Sequence, residues 1–280
     1  MKSVNFGSTG RKVSLVGLGG EGVLRTYNRM KEAQAVIRAA IDEGITYFDS
    51  ARVYSDSEMY YGSIWKQEPA LRKSIFQTSK SASRNKDGAL ADLKSSLERL
   101  QTDYLDLWQI HDVRTDEDFQ AISGPGGALE AFVEAQAKGI VRFIGVTGHH
   151  DPYILTRAVE EWPVDSVLLP VNPVEEILTG FLTDTLPAAK KKGIATIGMK
   201  VLGASHYILP KLDITPETLI RYALSQEITL PIVGCMSPQE VKTLAARGKG
   251  MDPLAAGERK ALVDKFRPYA SRMAFYRGVR

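Results

Sequence analysis

Ile45-Thr46-Tyr47-Phe48-Asp49-Ser50-Ala51-Arg52-Val53-Tyr54 ends a short apolar run on a carboxylate and reaches a phenol five residues later. Upstream, Met30 to Glu43 carries apolar residues at Ala33, Val36, Ile37, Ala40 and Ile41, the spacing of a one-faced helix, and Gly44 stops it. Downstream, a second helical pattern begins at about Glu58. The acid and the phenol therefore bracket a strand-to-helix loop, the place where α/β enzymes carry their chemistry.

The same alternation runs to the end of the chain. Ser14 to Gly20 reads as a buried strand ending in glycines, and further apolar runs lie at Ser74–Thr78, Asp106–Ile110, Phe143–Val146, Val167–Val171, Ala195–Gly198 and Leu230–Val233. Helical patterns fall between and after them, near 58–66, 86–100, 127–138, 152–161, 182–192, 215–226 and 238–247. Eight strand–helix units with apolar, β-branched strands and short loops predict a closed (α/β)8 TIM barrel rather than an open doubly wound sheet. Two short alternating pieces around Gly7-Ser8-Thr9-Gly10 predict an N-terminal β-hairpin before the barrel. No linker separates two domains, so residues 1–280 are expected to form a single barrel domain. Ser123-Gly124-Pro125-Gly126-Gly127 is read as a loop and helix start. Asp151-Pro152, Thr215-Pro216 and Ser237-Pro238 each put a capping side chain before a first-turn proline, while Gly139 and Gly193 sit where a left-handed residue ends a helix.

The composition is that of a globular chain, with 44% hydrophobic and 25% charged residues. A net charge of +3 without a polybasic block points away from nucleic acid and from membrane surfaces. Cys235 is the only cysteine, which excludes an intramolecular disulfide framework and a cysteine-cluster metal site. With no apolar signal core at the N-terminus and no membrane-length apolar run, the expectation is a cytoplasmic protein. Its partner is expected to be a small molecule, and the oligomeric state is not legible.

In a parallel barrel the chemistry lies just past the carboxyl ends of the strands. Those positions hold Asp49, Lys80 and His111, with Tyr54 in the loop beyond Asp49. A phenol titrates near pH 10 unless a neighbour favours the phenolate. Lys80 would lower that pKa, Asp49 would hold Lys80 as an ion pair, and His111 would hydrogen-bond a carbonyl. Such a set protonates an oxygen as hydride reaches the adjacent carbon, which is carbonyl reduction or, in reverse, alcohol oxidation. The hydride must come from a cofactor, because no side chain supplies one.

Asp49 to Tyr54, Thr78-Ser79-Lys80, and Leu93-Lys94-Ser95-Ser96-Leu97-Glu98-Arg99-Leu100-Gln101-Thr102-Asp103-Tyr104-Leu105-Asp106-Leu107 followed by His111 resemble the aldo-keto reductase superfamily. The resemblance covers nearly the whole chain. It implies an NAD(P)H-dependent reductase of small aldehydes or ketones with Asp49, Tyr54, Lys80 and His111 as its tetrad. It also implies a dinucleotide site, expected here at Gly20, at Thr147, Gly148 and Asn172, and along Met199, Lys200, Val201, Leu202 and Gly203. A last part is expected at Gly234, Cys235, Met236, Gln239 and Glu240.

Several of these positions depart from the family pattern. Val146-Thr147-Gly148-His149 stands where the family has Ser-Asn, and Asn172-Pro173 where it has a Gln. Met199 replaces a stacking aromatic residue, and a thioether packs less rigidly. Lys200 is placed to meet the pyrophosphate as a point charge. Glu240 stands where an Arg commonly takes the adenosine 2′-phosphate. The family habit puts NADP(H) ahead, whereas a carboxylate at 240 also admits NAD(H). The opposite reading makes Glu240 a first-turn helix acid, with Lys242 or Arg247 reaching the phosphate.

Two other functions are open to the same residues. His149-His150-Asp151 with His111-Asp112 offers ligands for a metal-dependent hydrolase, although Tyr54 and Lys80 have no place in that chemistry and no metal is expected. A barrel that binds the dinucleotide as an accessory or redox-sensing subunit would keep the cofactor residues but show little turnover. Arg25, Tyr27 and Asp112 are candidates to face the substrate. The basic, aromatic tail from Ser271 to Arg280 either folds over the pocket or frays.

Overall fold

The computed structural model describes residues 1–278. Strands β1 (Ser3–Asn5) and β2 (Lys12–Ser14) form the antiparallel N-terminal hairpin. Eight parallel strands then close on one another: β3 (Gly17–Gly22), β4 (Tyr47–Phe48), β5 (Phe76–Ser81), β6 (Leu105–Ile110), β7 (Val141–Thr147), β8 (Ser166–Pro170), β9 (Ala195–Met199) and β10 (Leu230–Cys235). Each pairs with its neighbours in chain order and β10 pairs with β3, so the barrel has no free edge.

The helices lie outside this barrel. They are α1 (Met30–Asp42), α2 (Ser57–Trp65), α3 (Pro69–Ser74), α4 (Lys86–Leu100), α5 (Asp116–Ser123), α6 (Ala128–Ala137) and α7 (Pro152–Glu161), followed by α8 (Pro173–Leu178), α9 (Leu186–Lys192), α10 (Pro216–Leu224), α11 (Pro238–Gly250), α12 (Ala256–Phe266) and α13 (Ala270–Met273). Among the described residues no helix is long and apolar enough to cross a membrane.

The expected caps are present. Asp151, Thr215 and Ser237 accept backbone N–H groups at the starts of α7, α10 and α11, and Gly139 and Gly193 are left-handed. Two apolar layers result. Phe6 from the hairpin enters the amino-terminal end of the barrel, 4.7 Å from Phe76 between ring centroids, and joins Tyr47, Leu107, Ile197 and Leu230 inside it. The second layer lies between strands and helices.

Several elements differ from their expected extents: β3 is shifted to Gly17–Gly22, the short α3, α8 and α13 were not expected, and β5, α5 and α12 differ for reasons the packing shows. β5 runs on through Ser79, Lys80 and Ser81, so Lys80 stands within the strand end rather than after it. The apolar run stops at Thr78, yet the strand continues because each polar side chain has a buried or half-buried partner: Ser79 donates to Glu58, Lys80 to Asp49 and Ser81 to Asp92. Asp116–Ser123 forms α5, capped by Thr115, with only Phe119 and Ile122 buried, so its apolar stripe is too thin to read. α12 was not expected either. Leu262, Val263 and Phe266 bury its inner side, and Glu258 accepts the Ala255 N–H at its start.

The middle motif proves to be architecture. Arg72 is 4% exposed and pairs with the fully buried Asp106, which also receives Arg142 and the Gln77 N–H. Tyr104 is sandwiched between Arg72 and Arg142, 4.1 and 4.4 Å from its centroid. This cluster ties α3, β5, β6 and β7 together, far from any reacting group in role.

Candidate active site

Asp49 leaves β4 with its carboxylate 2% exposed, and Lys80 is 1% exposed on the adjoining strand. An unpaired charge there would be costly, so the two meet at 2.7 Å through both carboxylate oxygens. The third ammonium hydrogen goes to the Ser50 carbonyl at 2.7 Å. Thr78 Oγ1 and the Gly20 N–H donate to Asp49 at 3.1 and 3.4 Å. Burial pulls the Lys80 ammonium below its usual range, opposed by Asp49. Three donated hydrogen bonds mark it as the protonated form.

Tyr54 lies against this pair. The Lys80 ammonium sits 4.7 Å from its ring centroid and the Arg25 guanidinium also 4.7 Å. The ring fits because position 20 is glycine: a Cβ there would stand 2.7 Å from a ring carbon of Tyr54. Tyr54 Oη faces His111 Nε2 at 3.5 Å. The structure thus brings all four tetrad candidates together.

The electrostatics of the phenol differ from the sequence expectation. Burial, then the charges of Asp49 and Glu21, push the Tyr54 pKa well above its usual value, with Arg25 opposing. Lys80 does not reverse this, because its hydrogens are committed to Asp49 and Ser50 and it meets the ring rather than the oxygen. Tyr54 therefore stands as a protonated phenol. Burial, then the Lys80 charge, holds the His111 imidazolium well below its ordinary range, so its ring is neutral near pH 7. Arg84 fixes the loop after β6, donating to the His111 and Asp112 carbonyls at 2.7 Å each while pairing with Asp118. Asp112 is left-handed, with φ of 57°. Its N–H donates to Thr147 Oγ1 at 2.8 Å.

Tyr54, His111 and Lys80 open onto a cavity of about 480 Å³. Its rim carries the ion pairs Arg25–Glu21, Arg114–Asp112 and Arg84–Asp118, with His149 beside them. A second cleft of about 440 Å³ runs from Tyr54 towards α10 and α11. The two spaces share Glu21, Tyr54, Leu168, Met199 and Lys200 as walls. A group lying in the second cleft thus reaches the acid–base residues.

The second cleft holds most of the expected dinucleotide residues: Gly20, Met199, Lys200, Val201, Leu202, Gly234, Cys235, Met236 and Glu240 line it. Glycines shape its floor. A Cβ on Gly22, where φ is 70°, would meet the Cys235 carbonyl oxygen at 2.4 Å, and one on Gly234 would meet Glu21 at 2.6 Å. The β3–β10 register is irregular between Val233 and Cys235, which opens the wall at this point. Burial, with Glu240 adding to it, pushes the Cys235 thiol up to about 12 and removes it as a nucleophile.

The other expected residues lie elsewhere. Thr147 lines the first cavity, next to His149. Gly148 and Gln239 line neither space, and Gly203 is buried beneath Tyr207. Asn172 lines neither and is fully buried: Oδ1 caps α8, while Nδ2 donates to the Lys200 carbonyl and to Tyr276 Oη at 3.2 and 2.9 Å. Lys200 has φ of 55°, so Asn172 supports a strained turn at the junction of the two spaces. Tyr27 lies in a separate shallow depression with Arg52 and Asp56, whereas Arg25 and Asp112 line the first cavity.

The tail, as far as it is described, is docked: Tyr276 Oη donates to Glu175 at 2.8 Å, Arg277 pairs with Glu175, and the Tyr276 carbonyl meets His149 Nδ1 at 3.1 Å. The expected tail also includes Val279 and Arg280, which lie outside the described residues. Arg84 was not singled out from the sequence, because its role depends on the His111 and Asp112 carbonyls and on Asp118, and no local pattern marks it.

The aldo/keto reductase family profile matches residues 15–207. The chain belongs to the aldo/keto reductase family. It is 31% identical to an L-galactose dehydrogenase of Arabidopsis thaliana, over 92% of this chain and 93% of that protein. An aldo-keto reductase of Bacillus subtilis is 29% identical over 70% of this chain and 61% of its own length. A holo-form aldo-keto reductase from Bacillus halodurans superposes with a TM-score of 0.75 at 20% identity, covering 94% of this chain and 96% of that one, and so supports the fold. As a member of this family, the chain is an NAD(P)-dependent oxidoreductase, and a small carbonyl compound fits it as substrate. The glycine-floored cleft that ends at Tyr54 fits an extended dinucleotide.

Proposed function

We propose that this protein interconverts a small aldehyde or ketone and its alcohol, as a single barrel domain, with Tyr54 as the general acid. The observation that carries this reading is the protonated Tyr54 hydroxyl facing neutral His111 at 3.5 Å where the two cavities meet. The dinucleotide, when bound, supplies the hydride that adds to the carbonyl carbon. Tyr54 and His111 orient the carbonyl oxygen by hydrogen bonds. As charge develops on that oxygen, Tyr54 gives it the phenolic proton. The buried Lys80 ammonium, held by Asp49 and Ser50, then stabilises the phenolate left behind until solvent reprotonates it. The same charge favours the phenolate in the resting site too, but burial and the Asp49 charge outweigh it, so the resting phenol stays protonated.

The rim of paired charges favours a polar substrate. Three arginine–carboxylate pairs offer donors and acceptors at close spacing, which suits a polyhydroxylated carbonyl compound better than an alkyl aldehyde. The likeness to an L-galactose dehydrogenase supports the same class. Single-turnover mixing of the protein and reduced dinucleotide with aldoses and with short alkyl aldehydes tests the reading. Loss of nicotinamide absorbance, faster with aldoses, is expected; binding without consumption on any carbonyl compound would contradict it and leave a redox-sensing subunit.

A further inference from the structure

The dinucleotide cleft is not charged evenly along its length. Among the described residues its one lining cation outside any ion pair, Lys200, stands at the junction with the first cavity. The far end is walled by the starts of α10 and α11, and there the charged residues are Glu217 and Glu240. Among the described residues neither carboxylate forms an ion pair. The basic residues of α10 and α11 are committed or outside the wall: Arg221 pairs with Asp252 and Glu258, Arg247 with Asp252 and Lys249 with Glu43, and Lys242 does not line the cleft.

Glu240 is also held in place. Oε2 accepts the Met236 N–H at 2.8 Å while Ser237 Oγ accepts the Glu240 N–H at 3.4 Å, a reciprocal cap at the start of α11. The Met236 bond thus holds the exposed carboxylate at this wall, and the Ser237 bond fixes the backbone that carries it. An adenosine 2′-phosphate needs basic groups, whereas a ribose 2′-hydroxyl donates readily to a carboxylate.

We infer that this cleft selects NAD(H) over NADP(H), and that Glu240, with Glu217 beside the same end, is the specificity-determining residue. This reverses the preference that family habit implies, and it rests on the reading of the cleft as the dinucleotide site. Repulsion between a phosphate and the exposed Glu240 carboxylate, reinforced by Glu217, predicts a preference of about 100-fold in Kd.

Calorimetric titration of the full chain with NADH and NADPH tests it without relying on turnover. NADH is expected to bind about 100-fold more tightly. Glu240→Gln, which keeps an acceptor for the Met236 N–H, is expected to narrow that ratio by about 10-fold through tighter NADPH binding. Glu240→Arg combined with Glu217→Gln is expected to invert it, and the single Glu240→Gln change keeps the test valid if the double variant does not fold. Equal or tighter binding of NADPH by the unaltered protein would overturn the inference, as would an unchanged ratio in Glu240→Gln. Failure to bind either dinucleotide would instead overturn the reading of the cleft itself.

Discussion

The two ends of the site are built by opposite means. At the acid–base end, charged side chains are driven into the protein and every one of them is answered: Lys80 by Asp49 and Ser50, Asp49 by Thr78 and Gly20 as well. In the second cleft the shape comes from missing side chains, at Gly22 and Gly234, and from helix starts, with two wall carboxylates that, among the described residues, form no ion pair. Buried, mutually dependent charges tolerate few alternatives, so the first end is rigid in sequence as well as in space. A surface made of backbone and half-exposed polar groups can change its charge at little cost to folding. The departures from the family pattern that the sequence resemblance implies fall on the expected dinucleotide residues and not on Asp49, Tyr54, Lys80 or His111, which is the pattern this difference predicts.

The comparison can be broken most severely at Lys80. Lys80→Met leaves the Asp49 carboxylate buried without its cation and is expected to lower stability by about 3–5 kcal/mol and abolish turnover. Chemical denaturation and steady-state kinetics read both effects, and a variant as stable as the parent would show that the pair is not what holds this end together.

Gly20→Ala comes next, because it belongs to both ends. The added methyl would meet the Tyr54 ring at 2.7 Å, so the phenol must shift. A turnover loss of about 100-fold with a smaller change in dinucleotide affinity is expected, the cost of misplacing a reacting group by a fraction of its own size. Affinity falling more than turnover would make Gly20 chiefly a cofactor residue.

A smaller effect is expected from pH. His111 and His149 both have folded-state pKa values lowered chiefly by burial. The unfolded chain therefore binds protons first as pH falls below about 6.5, and stability present above that pH is lost towards acid by up to about 1.4 kcal/mol per pH unit for each histidine. Urea denaturation at pH 7.5, 6.5 and 5.5 checks the slope, with His149→Asn expected to flatten it. A flat profile in the parent would mean that neither ring is held neutral by the fold.

The barrel, and the meeting of Asp49, Tyr54, Lys80 and His111 at one end of it, were legible because each leaves a local trace. Strand periodicity, helix caps and polar groups just past strand ends survive in a single sequence. What did not survive depends on partners distant in the chain. Lys80 reads as lying beyond its strand because the polarity of Ser79-Lys80-Ser81 hides how Glu58, Asp49 and Asp92 satisfy it. Asn172 reads as a candidate ligand because nothing nearby announces Tyr276, 104 residues later, as its hydrogen-bond partner. The resting charge state of Tyr54 was likewise invisible, since burial and the placement of the Lys80 hydrogens decide it.

In the proposed mechanism Tyr54 delivers the proton while the dinucleotide cleft stands apart from that act. Tyr54→Phe measured by single-turnover hydride transfer, alongside calorimetric dinucleotide binding, tests it most directly. The account predicts a transfer rate lowered by about 10²–10⁴-fold with dinucleotide Kd changed by no more than a few-fold. A transfer rate close to that of the parent would contradict it.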